Sequence, residues 1–445
     1  MTHPIVRLTR ATLSLALRVF FRKIELSGAH QVPSSGPVIF VLNHQNGLID
    51  PVFLLCLAPR PVSYIAKSTL FSIPVLGWLV RAFDSLPVQR KQDRATGTNN
   101  SETFARARDL LSRGGSLGIF PEGISHNAPK LQRLKSGAAR IAFGTQLEDL
   151  KIIPAGLYYS DKAIFRSEAL VLFGEPIIVQ PIALDDDGEP PRDAVHQLTA
   201  KIESGLAQVM LQADAHEALA LAERVARMLA SADDQPQSLG DSVALRQRLI
   251  AGYARLQKQA PAELSALLGR LRDYEESLAA LGLDLDHPPP GALSIGLIMR
   301  VGLLSFGVLI ALAPIALLGT ALHYPAYRAV GLLSRRFSGG EDDLLATIKV
   351  LGSLLLFPLT WVGLVIALAI AGYGLWIALA LGLLAPLTGL GALHFWERFE
   401  GLSAGARIAW IWLTRRSILD RLASERAAIY AEIVSLAARV EEPAG

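Results

Sequence analysis

A long uncharged run near the C-terminus constrains the fold of this chain more than any other feature of its sequence. Val350 to Leu393 contains no Asp, Glu, Lys or Arg over about 44 residues, and Val301 to Leu322 contains none over about 22. A helix of about 20 apolar residues is long enough to cross a bilayer. The shorter run therefore predicts one such helix, and the longer run predicts two that are joined by a turn at Gly372-Tyr373-Gly374.

The region from about residue 30 to residue 185 has a different pattern, in which strand-like and helix-like segments alternate. Such alternation is typical of an α/β layered domain, and it predicts a mixed, mostly parallel sheet. The predicted strands are 38–42, 62–66, 116–120, 152–157 and 169–173, and the predicted helices are 51–58, 74–83, 101–113 and 136–147.

Two polar residues follow the first predicted strand of this region. The apolar, β-branched run Val38 to Leu42 ends at Asn43-His44, and Asp50 lies six residues beyond His44. On a helix this spacing would place the two side chains on different faces, so they can meet only across a loop. Asp50 also precedes a proline, as in the first turn of a helix. The stretch alone therefore leaves open a His–Asp pair or a polar loop before a capped helix.

A second predicted strand also ends in a turn that carries a carboxylate. Ser116 to Gly123 reads SLGIFPEG, with Glu122 in the turn. In open α/β sheets, ligands bind at the carboxyl ends of the strands. The two strand ends therefore predict a single site that contains His44, Asp50 and Glu122.

These motifs together resemble the glycerolipid acyltransferase family that makes lysophosphatidate and phosphatidate. The resemblance rests on Asn43-His44 with Asp50 and on Phe120-Pro121-Glu122-Gly123. Most family members have four residues between the His and the Asp, whereas this chain has five, as in the fungal-type glycerol-3-phosphate/dihydroxyacetone-phosphate acyltransferases. Three further stretches are similar to that branch, and the resemblance covers about residues 30 to 215. These stretches are Ser125-His126, Lys135-Ser136-Gly137 and Phe165 to Ile178.

The resemblance implies a membrane-bound O-acyltransferase of phospholipid biosynthesis that acylates the sn-1 hydroxyl of glycerol-3-phosphate or dihydroxyacetone phosphate. His44 is the expected base and Asp50 the carboxylate that orients it, with the substrate hydroxyl as nucleophile. The expected co-substrate is acyl-CoA or acyl carrier protein, with no cofactor and no metal. Acylation of lysophosphatidate at the second position, which makes phosphatidate, is the alternative that the sequence leaves open.

Cations near these motifs are candidates for binding the phosphate of the acceptor. By resemblance, Arg90 takes the place of the arginine that contacts glycerol phosphate, and Lys135 belongs to the family's third motif. An ordinary solvated loop is the competing interpretation of the basic cluster Arg90, Lys91 and Arg94. The expected substrate-binding residues are Lys67, Arg90, Glu122, Gly123 and Lys135.

Other classes of protein fit the sequence less well. A hydrolase would need its own nucleophile, yet no G-x-S-x-G motif is present, and the single cysteine, Cys56, lies in an apolar segment where it is expected to be filler. A membrane scaffold would not need His, Asp and Glu at strand ends. The net charge of only +3 gives no reason to expect nucleic acid as a partner.

The remaining segments predict association with a lipid bilayer. Residues 5–23 form a basic, amphipathic pattern, which predicts a helix in the membrane interface or one packed on the catalytic domain. The apolar stretch 70–83 predicts core, an acyl-chain tunnel or a bilayer contact. The predicted domains are an interface helix (1–29), a catalytic domain (30–215), a helical linker region (216–290), a transmembrane region (291–394) and an amphipathic helical tail (395–445).

The expected location is an integral membrane position with the catalytic domain facing the cytoplasm, where acyl donors are. Arg328, Arg335, Arg336 and Lys349 follow the first apolar segment and predict a cytoplasmic loop there. The number of membrane crossings stays open at this point.

Overall fold

The computed structural model describes residues 4–89, 100–213, 216–230, 238–283, 285, 295–339 and 342–441. The strands within these residues are β1 (Lys23–Ser27), β2 (Val38–Leu42), β3 (Ser63–Lys67), β4 (Leu86–Val88), β5 (Ser116–Ile119), β6 (Lys151–Tyr159), β7 (Glu168–Phe173) and β8 (Ile177–Ile178). The α-helices are α1 (Pro4–Phe20), α2 (Ile49–Leu57), α3 (Pro74–Ala82), α4 (Ser101–Ser112), α5 (Gly137–Gly144), α6 (Arg192–Val209), α7 (His216–Ala230), α8 (Leu239–Gln259), α9 (Pro261–Ala280), α10 (Ile295–Phe337), α11 (Asp342–Ile370) and α12 (Leu375–Glu441). Short 3-10 helices lie at Ala29–Gln31 and Ser68–Ser72.

These elements pack into two compact units. The sheet unit comprises the described residues of 1–216, 238–240 and 334–351, and the helical unit comprises those of 217–237, 241–333 and 352–445. The domain boundaries predicted from the sequence stay a prediction. The packing nevertheless places α1, β1 and the segment 334–351 with the sheet, outside the predicted range 30–215.

The sheet has the strand order β1-β7-β6-β2-β5-β3-β4, and β8 pairs with β6. Strand β2 is parallel to β5 on one side and to β6 on the other, with Val38 opposite Ser116 and Lys151. Strands β3 and β4 continue in the same direction beyond β5, whereas β6 is antiparallel to β7 and β8. The mixed, mostly parallel sheet predicted from the sequence is confirmed.

Helices cover both faces of this sheet, which explains why β2 is apolar at every position. Ile39 and Val41 point into a core shared with α4, α5 and α6. Phe40 points to the opposite face, because successive side chains of a strand alternate. On that face the ring of Tyr159 packs against Phe21 and Phe53, which lie at the end of α1 and on α2.

The predicted strands and helices of this region all occur, and no end is displaced by more than about three residues. The structure adds β1, β4 and β8. Strand β1 pairs only with β7 at the edge of the sheet, and its sequence KIELS lacks an apolar run. Strands β4 and β8 have three and two residues, too few for a periodic pattern.

Helix α1 is packed on the sheet unit along one face and is exposed along another. Leu13, Leu17 and Phe20 are buried, while Ile5, Leu8 and Leu15 are exposed. The Arg10 guanidinium donates to the Cys56 carbonyl on α2. The interpretation that this helix packs on the catalytic domain therefore applies to the face with Leu13, Leu17 and Phe20. The exposed apolar face remains available to a membrane surface.

The helical unit contains a bundle and the apolar helices. Helices α7, α8 and α9 share a core with the C-terminal part of α12, centred on Leu271 and Tyr274. Three described stretches are long and apolar enough to cross a membrane, namely Gly302–Phe337, Leu345–Ile370 and Leu375–Leu436. Gly372, with φ of 85°, lies in the predicted turn between α11 and α12.

Candidate active site

The parallel strands bring their carboxyl ends, and the polar residues that follow them, to one edge of the sheet. His44 follows β2, Glu122 follows β5, and Lys67 is the last residue of β3. Tyr159 ends β6, which is parallel to β2. The single site predicted from two strand ends therefore has the strand geometry that it requires.

His44 and Asp50 meet across the loop that connects β2 to α2. His44 Nδ1 lies 2.9 Å from Asp50 Oδ2, and the same oxygen accepts the N–H groups of Gln45 and Asn46, each at 2.7 Å. The Asp50 carboxylate thus binds donors that precede it, and the start of α2 has no side-chain cap. Of the two interpretations of this stretch, the structure contains the His–Asp pair.

A fourth donor completes the surroundings of Asp50. The Tyr159 hydroxyl donates to Asp50 Oδ1 at 2.6 Å, and Asp50 is 0% exposed. Burial, together with the negative charge and hydrogen bond of Asp50, raises the pKa of Tyr159 well above its usual value. Tyr159 therefore stays protonated at neutral pH and remains a donor. A buried carboxylate needs such donors, because water does not reach it.

These contacts fix the orientation and the tautomer of the His44 ring. Because Asp50 Oδ2 acts as an acceptor, Nδ1 of His44 carries the proton and Nε2 presents a lone pair. The ring stacks on Phe120 at 4.1 Å between centroids, and Phe120 stacks in turn on Tyr64. Among the described residues, Nε2 of His44 has no hydrogen-bond partner, and 11% of the side chain is exposed. The ring is therefore held as a base with one nitrogen free to accept a proton.

The Glu122 carboxylate joins the two strand-end loops. Its Oε1 accepts the His44 N–H at 3.3 Å, and its Oε2 accepts the Gln132 N–H at 2.8 Å and the His126 Nε2–H. The N–H of Ala128 donates to His126 Nδ1, which leaves the proton of that ring on Nε2. Glu122 is 3% exposed. The contact of Glu122 with substrate stays a prediction. In the structure its carboxylate supports the backbone of His44.

Gly123 and Lys135 lie against each other beside this turn. Gly123 has φ of 72°, and a Cβ on it would lie 2.3 Å from Lys135 Nζ. The Lys135 N–H donates to the Pro121 carbonyl at 2.8 Å. The absence of a side chain at Gly123 therefore allows an exposed lysine to lie over the turn that supports His44.

The other predicted phosphate ligands are placed less completely. Lys67 ends β3 at the same edge of the sheet. Arg90, Lys91 and Arg94 lie outside the described residues, so the role of Arg90 stays a prediction. Its neighbour Gln89 exchanges two backbone hydrogen bonds with the side chain of Asn100, which holds both flanks of the segment 90–99 together just beyond β4.

Two residues that shape the site were not among the predicted site residues, although Asn43 belongs to the Asn43-His44 motif. Tyr159 is one, although an aromatic residue with a polar tip at the end of an apolar strand is a recognisable signal. Asn43 is the other. Its side chain donates to the Leu157 carbonyl at 3.0 Å and accepts the Leu157 N–H at 2.7 Å, which extends the β2–β6 ladder by one residue. Both residues fix the position at which His44 leaves the sheet.

The apolar stretch 70–83 contains both exposed and buried side chains. Ile73 and Trp78 are each 47% exposed, whereas Phe83 is buried. The Arg81 guanidinium donates to the Phe71 and Gly77 carbonyls and so fastens α3 to the preceding 3-10 helix. Of the interpretations left open for this stretch, core therefore holds for Phe83 and does not hold for Ile73 and Trp78.

Comparisons with known proteins agree with the resemblance drawn from the motifs. Residues 23–158 match the family model described as Acyltransferase. The chain is 32% identical over 284 residues to glycerol-3-phosphate O-acyltransferase 2 of Saccharomyces cerevisiae, which covers 59% of this chain and 37% of the yeast protein. It is 26% identical over 325 residues to glycerol-3-phosphate O-acyltransferase 1 of that yeast, covering 53% and 43%. The chain therefore spans less than half the length of these two relatives.

Two further similarities involve proteins named for the second acylation. A chloroplastic 1-acyl-sn-glycerol-3-phosphate acyltransferase of Arabidopsis thaliana is 30% identical over 166 residues, covering 35% of this chain and 44% of the plant protein. The crystal structure of a 1-acyl-sn-glycerophosphate acyltransferase from Thermotoga maritima is 17% identical with a TM-score of 0.33, covering 46% of this chain and 80% of that one. Residues 23–158, the part of the chain that matches the Acyltransferase family model, hold the His44–Asp50 pair and the Glu122 turn.

Proposed function

We propose that this protein transfers a fatty acyl group from a thioester to the sn-1 hydroxyl of glycerol-3-phosphate or dihydroxyacetone phosphate. The observation that carries the proposal is the His44–Asp50 pair, in which three further donors fix the Asp50 carboxylate and that carboxylate holds the His44 ring with Nε2 open. The similarity to two yeast glycerol-3-phosphate O-acyltransferases supports this choice of acceptor.

The proton transfer follows from the tautomer of His44. Nε2 takes the proton of the acceptor hydroxyl while the oxygen of that hydroxyl attacks the thioester carbonyl carbon. The imidazolium that forms is stabilised by Asp50, to which it is already hydrogen-bonded. When the carbonyl re-forms, the carbon–sulfur bond breaks and the thiolate leaves, and His44 then releases its proton to the thiolate or to solvent. The pair supplies the base that the reaction needs, so we propose no cofactor. Acyl-CoA or acyl carrier protein is the proposed co-substrate.

Phosphate contacts would provide much of the affinity for such a small, doubly charged acceptor. Lys135 lies over the Glu122 turn, and Lys67 lies at the end of the neighbouring strand β3. Arg90, Glu122 and Gly123 complete the proposed acceptor site by resemblance. Because partly exposed charge contacts are screened over about 8–10 Å at physiological ionic strength, the rate at low acceptor concentration should fall as salt rises.

The proposed location is a membrane, with the domain that holds His44 on the cytoplasmic side where acyl donors occur. The three helices that are long and apolar enough to cross a membrane support the first part of this proposal. A lipid bilayer is therefore a proposed partner, together with the acyl donor and the glycerol phosphate acceptor.

Acylation of lysophosphatidate is the second candidate, and the similarity to the chloroplastic enzyme favours it. A panel of acceptors and donors with full-length protein in detergent distinguishes the two. We expect radiolabelled glycerol-3-phosphate with acyl-CoA or acyl carrier protein to give lysophosphatidate, and His44→Ala to lower that rate by about 10²- to 10⁴-fold. Product from lysophosphatidate alone would establish the second candidate instead. Wild-type turnover by His44→Ala would refute the mechanism for both.

A further inference from the structure

A segment from the apolar C-terminal half of the chain packs inside the sheet unit. Ser334–Leu351 belongs to that unit, and it comprises the end of α10 and the first turns of α11. Ala346, Thr347 and Val350 in it are 0%, 4% and 5% exposed. These three lie on one face of α11, because residues three and four positions apart share a side of a helix. The start of a candidate membrane helix is therefore packed on the unit that contains the active site.

Thr347 contacts the loop between the two members of the catalytic pair. The Leu48 N–H donates to Thr347 Oγ1 at 3.2 Å. Leu48 directly precedes α2, and the first N–H groups of a helix have no partner within that helix. No side chain of the loop caps α2 at this position. The partner comes instead from a residue 299 positions further along the chain.

Lys349 reaches the same loop by a second route. Its Nζ donates to the Ala163 carbonyl, and the adjacent Lys162 donates from Nζ to the Gln45 carbonyl at 2.9 Å. The Gln45 N–H donates in turn to Asp50 Oδ2. Leu48, at one end of the loop 45–48, is thus held directly by α11. Gln45, at the other end, is held by Lys162, whose neighbour Ala163 binds Lys349 of α11.

We infer that Thr347 and Lys349 are positioning residues, through which the first turns of α11 hold the loop 45–48 and thereby align His44 with Asp50. The candidate span Leu345–Ile370 has 26 residues, whereas about 20 suffice to cross the hydrocarbon core. The first turns of α11 can therefore contact the active-site loop while the remainder of the helix crosses. The catalytic part of this inference rests on the function proposed above.

Substitutions of single side chains in the full-length, detergent-purified protein test the inference. Thr347→Val removes the acceptor for the Leu48 N–H and keeps the side-chain shape, so we expect kcat to fall about 3- to 10-fold with the acceptor KM unchanged. Thr347→Ser restores the hydroxyl and should restore kcat. Thr360→Val is the matched control, because the Thr360 hydroxyl donates only within α11, to the Leu356 carbonyl. Lys349→Met should lower kcat by a similar factor.

Hydrogen exchange provides a readout that does not depend on the reaction. In a peptide that contains Leu48, Thr347→Val should speed exchange relative to the wild type and to Thr360→Val. Unchanged exchange, or unchanged kcat, in Thr347→Val would overturn the inference, as would an equal loss in the Thr360→Val control. If the wild type acylates no acceptor of the panel, the proposed function fails, and the exchange data still decide whether the contact orders the loop.

Discussion

Replacement of Tyr159 by phenylalanine tests how strongly the buried surroundings of Asp50 support the His44–Asp50 pair. The substitution removes one hydroxyl, whose oxygen lies 2.6 Å from Asp50 Oδ1. The ring remains, together with its contacts to Phe21 and Phe53. Asp50 is fully buried, so water does not replace the lost donor. The change therefore isolates a single hydrogen bond to a carboxylate.

The expected magnitude follows from the charge of the acceptor. A hydrogen bond to a charged group contributes about 1.5–3 kcal/mol to stability. For a unit of this size, that loss corresponds to a Tm lower by about 3 to 12 °C. Because the pKa of Tyr159 is raised, the contribution of its hydroxyl is complete below about pH 10 and falls only as the pH rises beyond that value.

Tyr64→Phe is the matched control for this experiment. Tyr64 is 3% exposed, and its hydroxyl has no hydrogen-bond partner among the described residues. Removal of that hydroxyl should therefore leave the Tm unchanged or raise it. Melting curves of both variants, measured in the same detergent, provide the comparison. Equal changes in the two variants would refute the role assigned to the Tyr159–Asp50 bond.

Three further substitutions, together with the control Gly114→Ala, test other parts of the site. Asp50→Asn should lower kcat by at least about 100-fold, because an amide presents N–H groups to donors that need an acceptor; near-normal kcat would contradict the tautomer assigned to His44. Gly123→Ala and Gly114→Ala should each cost about 1–2 kcal/mol, since both glycines have positive φ. Only the former should also raise the acceptor KM, because its Cβ displaces Lys135, whereas a Cβ at Gly114 would have no atom within 4 Å. Arg90→Ala should weaken acceptor binding by about 1.5–3 kcal/mol, and an equal change in the KM of the acyl donor would show that Arg90 is an ordinary loop residue.

The strands that build the site could be predicted because each carries its own local signal. Val38 to Leu42 is apolar throughout, as a strand covered on both faces must be. Polar residues at the end of that run, and at the end of Ser116–Ile119, then had to meet at one edge of a parallel sheet. The loop between His44 and Asp50 followed from spacing alone, since six residues do not bring two side chains together on a helix.

The hydrogen bonds that support the pair could not be predicted because the residues that make them are distant in sequence. Tyr159 lies 109 residues from Asp50, and Thr347 lies 299 residues from Leu48. A lone hydroxyl carries no periodicity that would reveal its partner. Glu122 illustrates a related difficulty. Its carboxyl type indicated a functional role, but only the structure assigns its oxygens to the backbone of His44, to Gln132 and to His126.

The packing of Ser334–Leu351 with the sheet restricts how the chain can be threaded through a bilayer. Since both lie on one side, the chain must cross an even number of times between residue 216 and residue 334. Among the described residues in that interval, only α10 is apolar and long enough to cross, and a lone crossing is an odd number. We therefore expect that helix α10, which has prolines at 314 and 325 within it, does not cross a bilayer alone. Helices α11 and α12 are each long and apolar enough to cross, so as a pair they would return the chain to the side from which it left.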